Sequence, residues 1–172
     1  MHSLIKFLSV IVFFGMVSCG GSGDEGSSDN TASNDNTEQK MDKPEKKPAA
    51  DQSNVPASER VDLVNKGVGP VKNVDIPDNI DRKLAVKGKE IYDTKCVACH
   101  NVNTKLIGPP QKGIMDKRTP EWVMNMIMNP TEMLEKDPIA KDMLEEFNGV
   151  PMLDQNITRE EARAIVEYFR TL

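Results

Sequence analysis

Within the stretch Lys95-Cys96-Val97-Ala98-Cys99-His100 lie two of the three cysteines and one of the two histidines of a 172-residue chain. Three chemistries use such a cluster: a metal site, a dithiol redox pair, or a covalently attached haem. A structural zinc takes four nitrogen or sulfur ligands. Cys96, Cys99 and His100 make three, and Cys19 and His2 stand at the start of the chain, so a fourth ligand would have to be a carboxylate. A dithiol of the thioredoxin kind belongs to a βαβ context, which the helical pattern described next does not offer. Cys-x-x-Cys-His is the signature of haem attachment. Its two thiols add to the two vinyl groups on one porphyrin edge, and the next residue is set beneath the iron. The cluster therefore predicts one covalent haem c on Cys96 and Cys99, with His100 as an axial ligand.

The elements that must position this cluster read as helical from Asp81 onward. Leu84, Gly88, Ile91 and Tyr92 share one face of a helix that runs into the cysteines. Thr119-Pro120 supplies an N-cap and a first-turn proline ahead of Trp122, Val123 and Ile127, with a stop at Asn129-Pro130. Thr131 can start a short turn, and Asp137-Pro138 repeats the cap-plus-proline device before Ile139, Met143, Leu144 and Phe147, ending at Asn148-Gly149. Thr158 and Glu161 form a capping box before Ala162, Ile165, Val166 and Phe169. No strand alternation is present, so the expectation is an all-α domain of four or five short helices. Such helices make a small core, and only 5% of the chain is aromatic. A flat apolar cofactor at the centre would let it close.

Upstream the composition changes. Leu4 to Phe14 is almost wholly apolar, too short to span a bilayer, and ends at Val17-Ser18-Cys19-Gly20. This reads as an export leader, 1–18. A cysteine directly after such a run resembles a bacterial lipobox, which would make Cys19 a lipid anchor to the membrane; the alternative is an ordinary signal peptide with a stray cysteine. Residues 19–60 are rich in Gly, Ser, Asn, Asp, Glu, Lys and Pro and cannot bury enough apolar surface to offset ordering. They read as a tether, which as a flexible coil of roughly 40 residues spans about 30 to 40 Å. Between 61 and 80 valines recur irregularly around Gly67, Gly69 and Pro70, reading as an extended strap that packs on the domain 81–172.

Over about residues 81–172 the chain resembles the class I monohaem c-type cytochromes. The resemblance rests on Cys96-Val97-Ala98-Cys99-His100, on Ile107-Gly108-Pro109-Pro110, on Pro151-Met152, and on a closing amphipathic helix with Tyr168 and Phe169. It implies the class I cytochrome c fold around one haem. It also implies crossed first and last helices, with Gly88 meeting Tyr168 or Phe169, and the carbonyl of Pro109 accepting from the second nitrogen of His100. Ten methionines compete for the distal position. Met124, Met126, Met128, Met133 and Met143 fall in expected helices, where methionine is usually core filler. Met152 follows Pro151 in irregular chain and is the expected ligand; Met115, also in a loop, comes too soon to match the family order.

With both axial positions filled the expected function is one-electron transfer to redox protein partners from the cell envelope, and not catalysis. The alternative is a haem enzyme or a gas or redox sensor with an open or labile distal site. The stretch 108–123 resembles small lipid-anchored cytochromes that accompany nitrous-oxide reduction, so nitrous-oxide reductase is a candidate acceptor. Trp122 would then contact a haem propionate through its indole N–H, or serve as a core tryptophan. Residues 81–172 carry 14 Lys/Arg against 15 Asp/Glu, a near-neutral balance that does not suggest nucleic acid as a partner. Lys105, Lys112, Lys117 and Arg118 face only Asp116, forming either a basic docking rim or a solvated loop.

Overall fold

The computed structural model describes residues 52 and 54–172. The leader 1–18, Cys19 and the tether as far as 51 lie outside the described residues. Among the described residues six helices follow one another: α1 (Arg82–Lys95), α2 (Ile114–Lys117), α3 (Pro120–Met128), α4 (Pro130–Lys136), α5 (Pro138–Glu146) and α6 (Arg159–Phe169). Among the described residues no strand forms beyond an isolated bridge between Asp62 and Arg118, and no helix is long and apolar enough to cross a membrane.

The boundaries of α3, α5 and α6 are set by the expected residues. The Asp81 side chain accepts from the Lys83 and Leu84 N–H groups at the start of α1. Thr119 caps α3 by accepting from Trp122 N, and Asp137 caps α5 by accepting from Ala140 N, each followed by proline at the first helical position. Thr158 and Glu161 form the reciprocal capping box of α6. Past α5, Asn148 and Gly149 take left-handed conformations, and the Gly149 N–H reaches back to Leu144 O (2.8 Å). The additional helix is α2, a single turn too short to show periodicity; the turn expected at Thr131 is the full helix α4, starting at Pro130.

Crossing of α1 and α6 joins the two ends of the domain. Gly88 lies against the α6 backbone, where a β-carbon would overlap the Ala164 carbonyl and stand 2.9 Å from Ile165 N. The atoms nearest to Gly88 are thus α6 backbone. Gly88 admits backbone, and one turn further on Tyr92 meets the aromatics, with ring centroids 5.5 Å from Tyr168 and 5.8 Å from Phe169. Close approach at a small residue brings the next turns into aromatic contact.

The segment before α1 wraps the helical body without regular structure of its own. Its anchor is Asn125 on α3, fully buried, whose amide oxygen accepts from Val71 N (2.9 Å) while its nitrogen donates to Lys66 O and Val71 O (both 2.9 Å). Val71 is fully buried beside it. Ordered packing begins earlier than composition suggests. Residues 54–60, grouped with the tether, lie on the domain: Ala57 is 3% exposed, and Ser58 donates through N and Oγ to the Glu146 carboxylate (2.8 and 2.6 Å). A polar segment can be ordered when its backbone finds buried partners, and composition does not record those partners.

Candidate functional site

The Cys-x-x-Cys-His turn is made by the end of α1. Cys96 N–H closes the helix onto Tyr92 O (2.9 Å), and its carbonyl then accepts from Cys99 N (3.1 Å) and His100 N (2.9 Å). Tyr92 holds the far side of the turn by donating its hydroxyl to His100 O (2.9 Å). Burial pushes the Tyr92 phenol up to about 12, with the Cys96 and Tyr168 charges adding to it, so it remains a donor across the working range. Cys96, Cys99 and His100 thus come together at one wall of a cleft. Burial pushes the Cys96 thiol up to about 11, against a lowering by Lys95.

The imidazole is oriented from two sides. Its Nδ1 lies 3.0 Å from Pro109 O, which leaves Nε2 as the nitrogen available to a metal. Gly108 packs against the ring face: a β-carbon there would overlap Cε1 and stand 2.8 Å from Nδ1. The Gly108 N–H is itself tied to Cys99 O (2.8 Å). Burial lowers the His100 pKa, partly opposed by the Pro109 hydrogen bond, so the ring is neutral and ligand-competent at neutral pH.

The cleft has a volume of about 300 Å³, the lower end of the range for sites that take a large organic ligand. Its floor is apolar, from Ile114, Val123, Ile127, Ile165 and Phe169, and its other walls come from Leu144 and Phe147 and from the loop 150–153. Met152 lines it, as expected, from irregular chain between α5 and α6. Met126 and Met143 also reach it from helices. Met115 lies in α2, outside the lining, which removes the loop alternative.

The donor set agrees with a haem. Two thiols three residues apart stand at the wall of a large apolar slot, beside an imidazole whose second nitrogen is already engaged. Among the described residues no group of three or more His, Cys, Asp and Glu side chains is arranged to hold a metal ion, so the zinc reading finds no fourth ligand.

Two expectations are corrected. The indole N–H of Trp122 donates to Asp137 Oδ1 (3.1 Å), and Asp137 is 1% exposed. The ring does line the cleft, but its N–H is committed to the cap of α5 and not to a propionate. The basic rim is also reduced, to the exposed Lys105 and Lys112. Arg118 is fully buried, donating to Ala57 O (2.6 Å) and Arg60 O, and Lys117 pairs with Glu59 (2.6 Å). Lys105 lies over the Phe147 ring, 4.2 Å from its centroid. The residue that sequence reasoning missed is Gln111, 8% exposed, whose side-chain nitrogen lies 2.8 Å from both Pro109 O and His100 Nδ1. No local motif marks it; only its place two residues after the accepting carbonyl would have hinted at a role.

Comparison with known proteins agrees with this geometry. Residues 85–172 match the Cytochrome c family. Cytochrome c-551 of Ectopseudomonas mendocina is 29% identical over 86 residues, covering 49% of this chain and 96% of its own length. A solved cytochrome c from Rhodothermus marinus is 38% identical with a TM-score of 0.58, over 60% of this chain and 88% of that one. An engineered form of the same protein gives 37%, also with a TM-score of 0.58, over 60% and 89%.

Proposed function

This chain belongs to the cytochrome c family, whose members bind one covalent haem c, and from that premise we propose that it is a one-electron carrier held by Cys96, Cys99, His100 and Met152. Cys96 and Cys99 would hold a haem through thioether bonds, and His100 Nε2 and Met152 Sδ would be the ligands offered to its iron. When bound, the haem supplies an iron that gains or loses one electron. What the polypeptide does is hold that centre still. Pro109 and Gly108 restrain the ring of His100, and the Gly149–Met152 loop presents the thioether. A thioether in the distal position favours the ferrous state and raises the potential relative to a second histidine.

The observation that carries this reading is that His100 and Met152 line one apolar cleft, with the second nitrogen of His100 already held at 3.0 Å by Pro109 O. Ile107, Val150 and Leu153 border the same cleft and are 50%, 51% and 68% exposed, so its mouth offers an apolar face through which a redox partner can approach. Export, acylation at Cys19 and a position at the membrane surface complete the proposal, resting on the leader-like start and the tether composition. On the likeness of residues 108–123 to cytochromes that accompany nitrous-oxide reduction, nitrous-oxide reductase is the proposed electron acceptor.

Optical spectra of the purified holoprotein in both redox states, with and without carbon monoxide, test the ligation. A low-spin spectrum with a sulfur-to-iron charge-transfer band, unchanged by the gas and lost in Met152→Ala, is the expected result. Ready binding of carbon monoxide by the unsubstituted protein would establish an open distal site and replace the carrier with an enzyme or sensor. Stopped-flow mixing with nitrous-oxide reductase tests the acceptor separately.

A further inference from the structure

We propose that Gln111 is a positioning residue that weakens the hydrogen bond from His100 Nδ1 to Pro109 O and so sets a more positive reduction potential than the axial ligands alone would give. This rests on the His100 ligation proposed above.

The geometry is a triangle of three polar atoms. His100 Nδ1 stands 3.0 Å from Pro109 O, Gln111 Nε2 stands 2.8 Å from the same oxygen, and the two nitrogens are 2.8 Å apart. An imidazole that gives Nε2 to a metal must carry its proton on Nδ1, so both nitrogens are then donors. A carbonyl oxygen has two lone pairs and can accept from both. Two donors 2.8 Å from each other at one oxygen compete for its density and repel each other. Turned over, the amide would accept from Nδ1–H but would set its oxygen 2.8 Å from Pro109 O, acceptor against acceptor, so the proposed orientation is the one that donates to the carbonyl. Gln111 is 8% exposed, so water does not screen the contact.

The sign follows from the chemistry of the ring. A strong Nδ1–H···O bond shifts electron density into the imidazole and makes Nε2 the better donor, which stabilises the ferric state. A competing donor at the same carbonyl reduces that push. Gln111 therefore favours the ferrous state, acting through Pro109 and His100 without touching the iron.

The test is potentiometric titration of holoprotein carrying Gln111→Met, which keeps length and apolar volume and removes the donor. The expected result is a shift of the midpoint potential to more negative values, measured on the scale where a tenfold change in a one-electron equilibrium is 59 mV. In the reduced protein the His100 Nδ1–H proton resonance should move downfield as its bond strengthens, which a purely structural role would not produce. The optical spectrum should remain that of the unsubstituted protein. An unchanged or more positive potential with that spectrum intact overturns the proposal and leaves His100 ligation standing; a wild-type spectrum without histidine ligation removes both. If Gln111→Met fails to mature, NMR of the unsubstituted protein decides the matter: a Gln111 side-chain amide proton protected from exchange and coupled to the Pro109 carbonyl supports the role, and a freely exchanging amide overturns it.

Discussion

Two faces of this domain are held together by different physics. The cleft face is apolar, its walls meeting across a slot of about 300 Å³ lined by aliphatic and aromatic side chains. The strap face is polar inside. Asn125 and Asp137 are 0% and 1% exposed, Arg118 and Glu167 are fully buried, and between them they bind the backbone or side chains of residues 57–81. An apolar slot is non-directional and needs a filler, whereas a buried polar network is directional and needs each partner in place. One face is thus organised around a cofactor and the other around the chain's own N-terminal segment.

The largest expected effect comes from withholding the filler. Chain expressed where haem attachment cannot occur should lose most of its fixed tertiary structure, because the slot exposes apolar walls to water. Near-ultraviolet circular dichroism and amide exchange check this, with protection lost first at 96–111 and 147–158. Retention of native protection along the cleft in haem-free protein would break the contrast between the two faces.

Next in size is Gly88→Ala, at the crossing that ties both faces together. Helix propensity favours alanine over glycine by about 1 kcal/mol. The β-carbon, however, would overlap backbone of α6 at Ala164, which cannot rotate away. Overpacking costs about 1 to 3 kcal/mol, toward the upper end where the obstacle is backbone, so the clash wins and the substitution destabilises. Thermal unfolding of the holoprotein measures it.

A third substitution addresses the strap alone. Asn125→Leu removes one acceptor and two donors at a fully buried site, leaving the Val71 N–H without its partner. Unsatisfied buried groups cost about 1 to 3 kcal/mol each; the strap relieves part of that by detaching, so the net loss should be about 2 kcal/mol. Exchange at Val71 should rise while the haem spectrum stays unchanged. A change in the spectrum would show that the two faces are coupled.

The same contrast explains what was legible in the sequence. Haem attachment fixes residue types at fixed spacing, so Cys96, Cys99 and His100 announce themselves in five positions. Helix starts are likewise local, and Thr119, Asp137 and Thr158 each cap the helix assigned to them. The strap contacts join a backbone group to a single polar side chain some 50 to 90 positions away, such as Val71 N to Asn125 and Asp81 N to Glu167. No periodicity or motif records such pairs. Arg118 shows the cost of reading charge locally: beside Lys117 it looks like surface, yet three carbonyls, at Ala57, Arg60 and Lys117, draw it inside. Gln111 was equally silent, because its role depends on a triangle closed only by the fold.

The smallest expected effect tests the strap network through pH. Burial alone would push the Glu121 carboxyl up, but hydrogen bonds from its own backbone N–H, from Lys66 and from Val74 N together hold it below its ordinary value of 4.5. Lys66 Nζ lies 3.1 Å away and Val74 N 3.4 Å. A carboxyl depressed in the folded state binds its proton more readily when unfolded, so its contribution is fully present above the unfolded value and fades as pH falls through the folded one. Acidification from pH 6 to below 4 should therefore loosen the strap at Val74. Amide shifts of Val74 followed against pH in Glu121→Gln and in the unsubstituted protein separate this carboxyl from its neighbours: the acid transition should vanish in the variant, and its persistence would assign the acid sensitivity of the strap to another group.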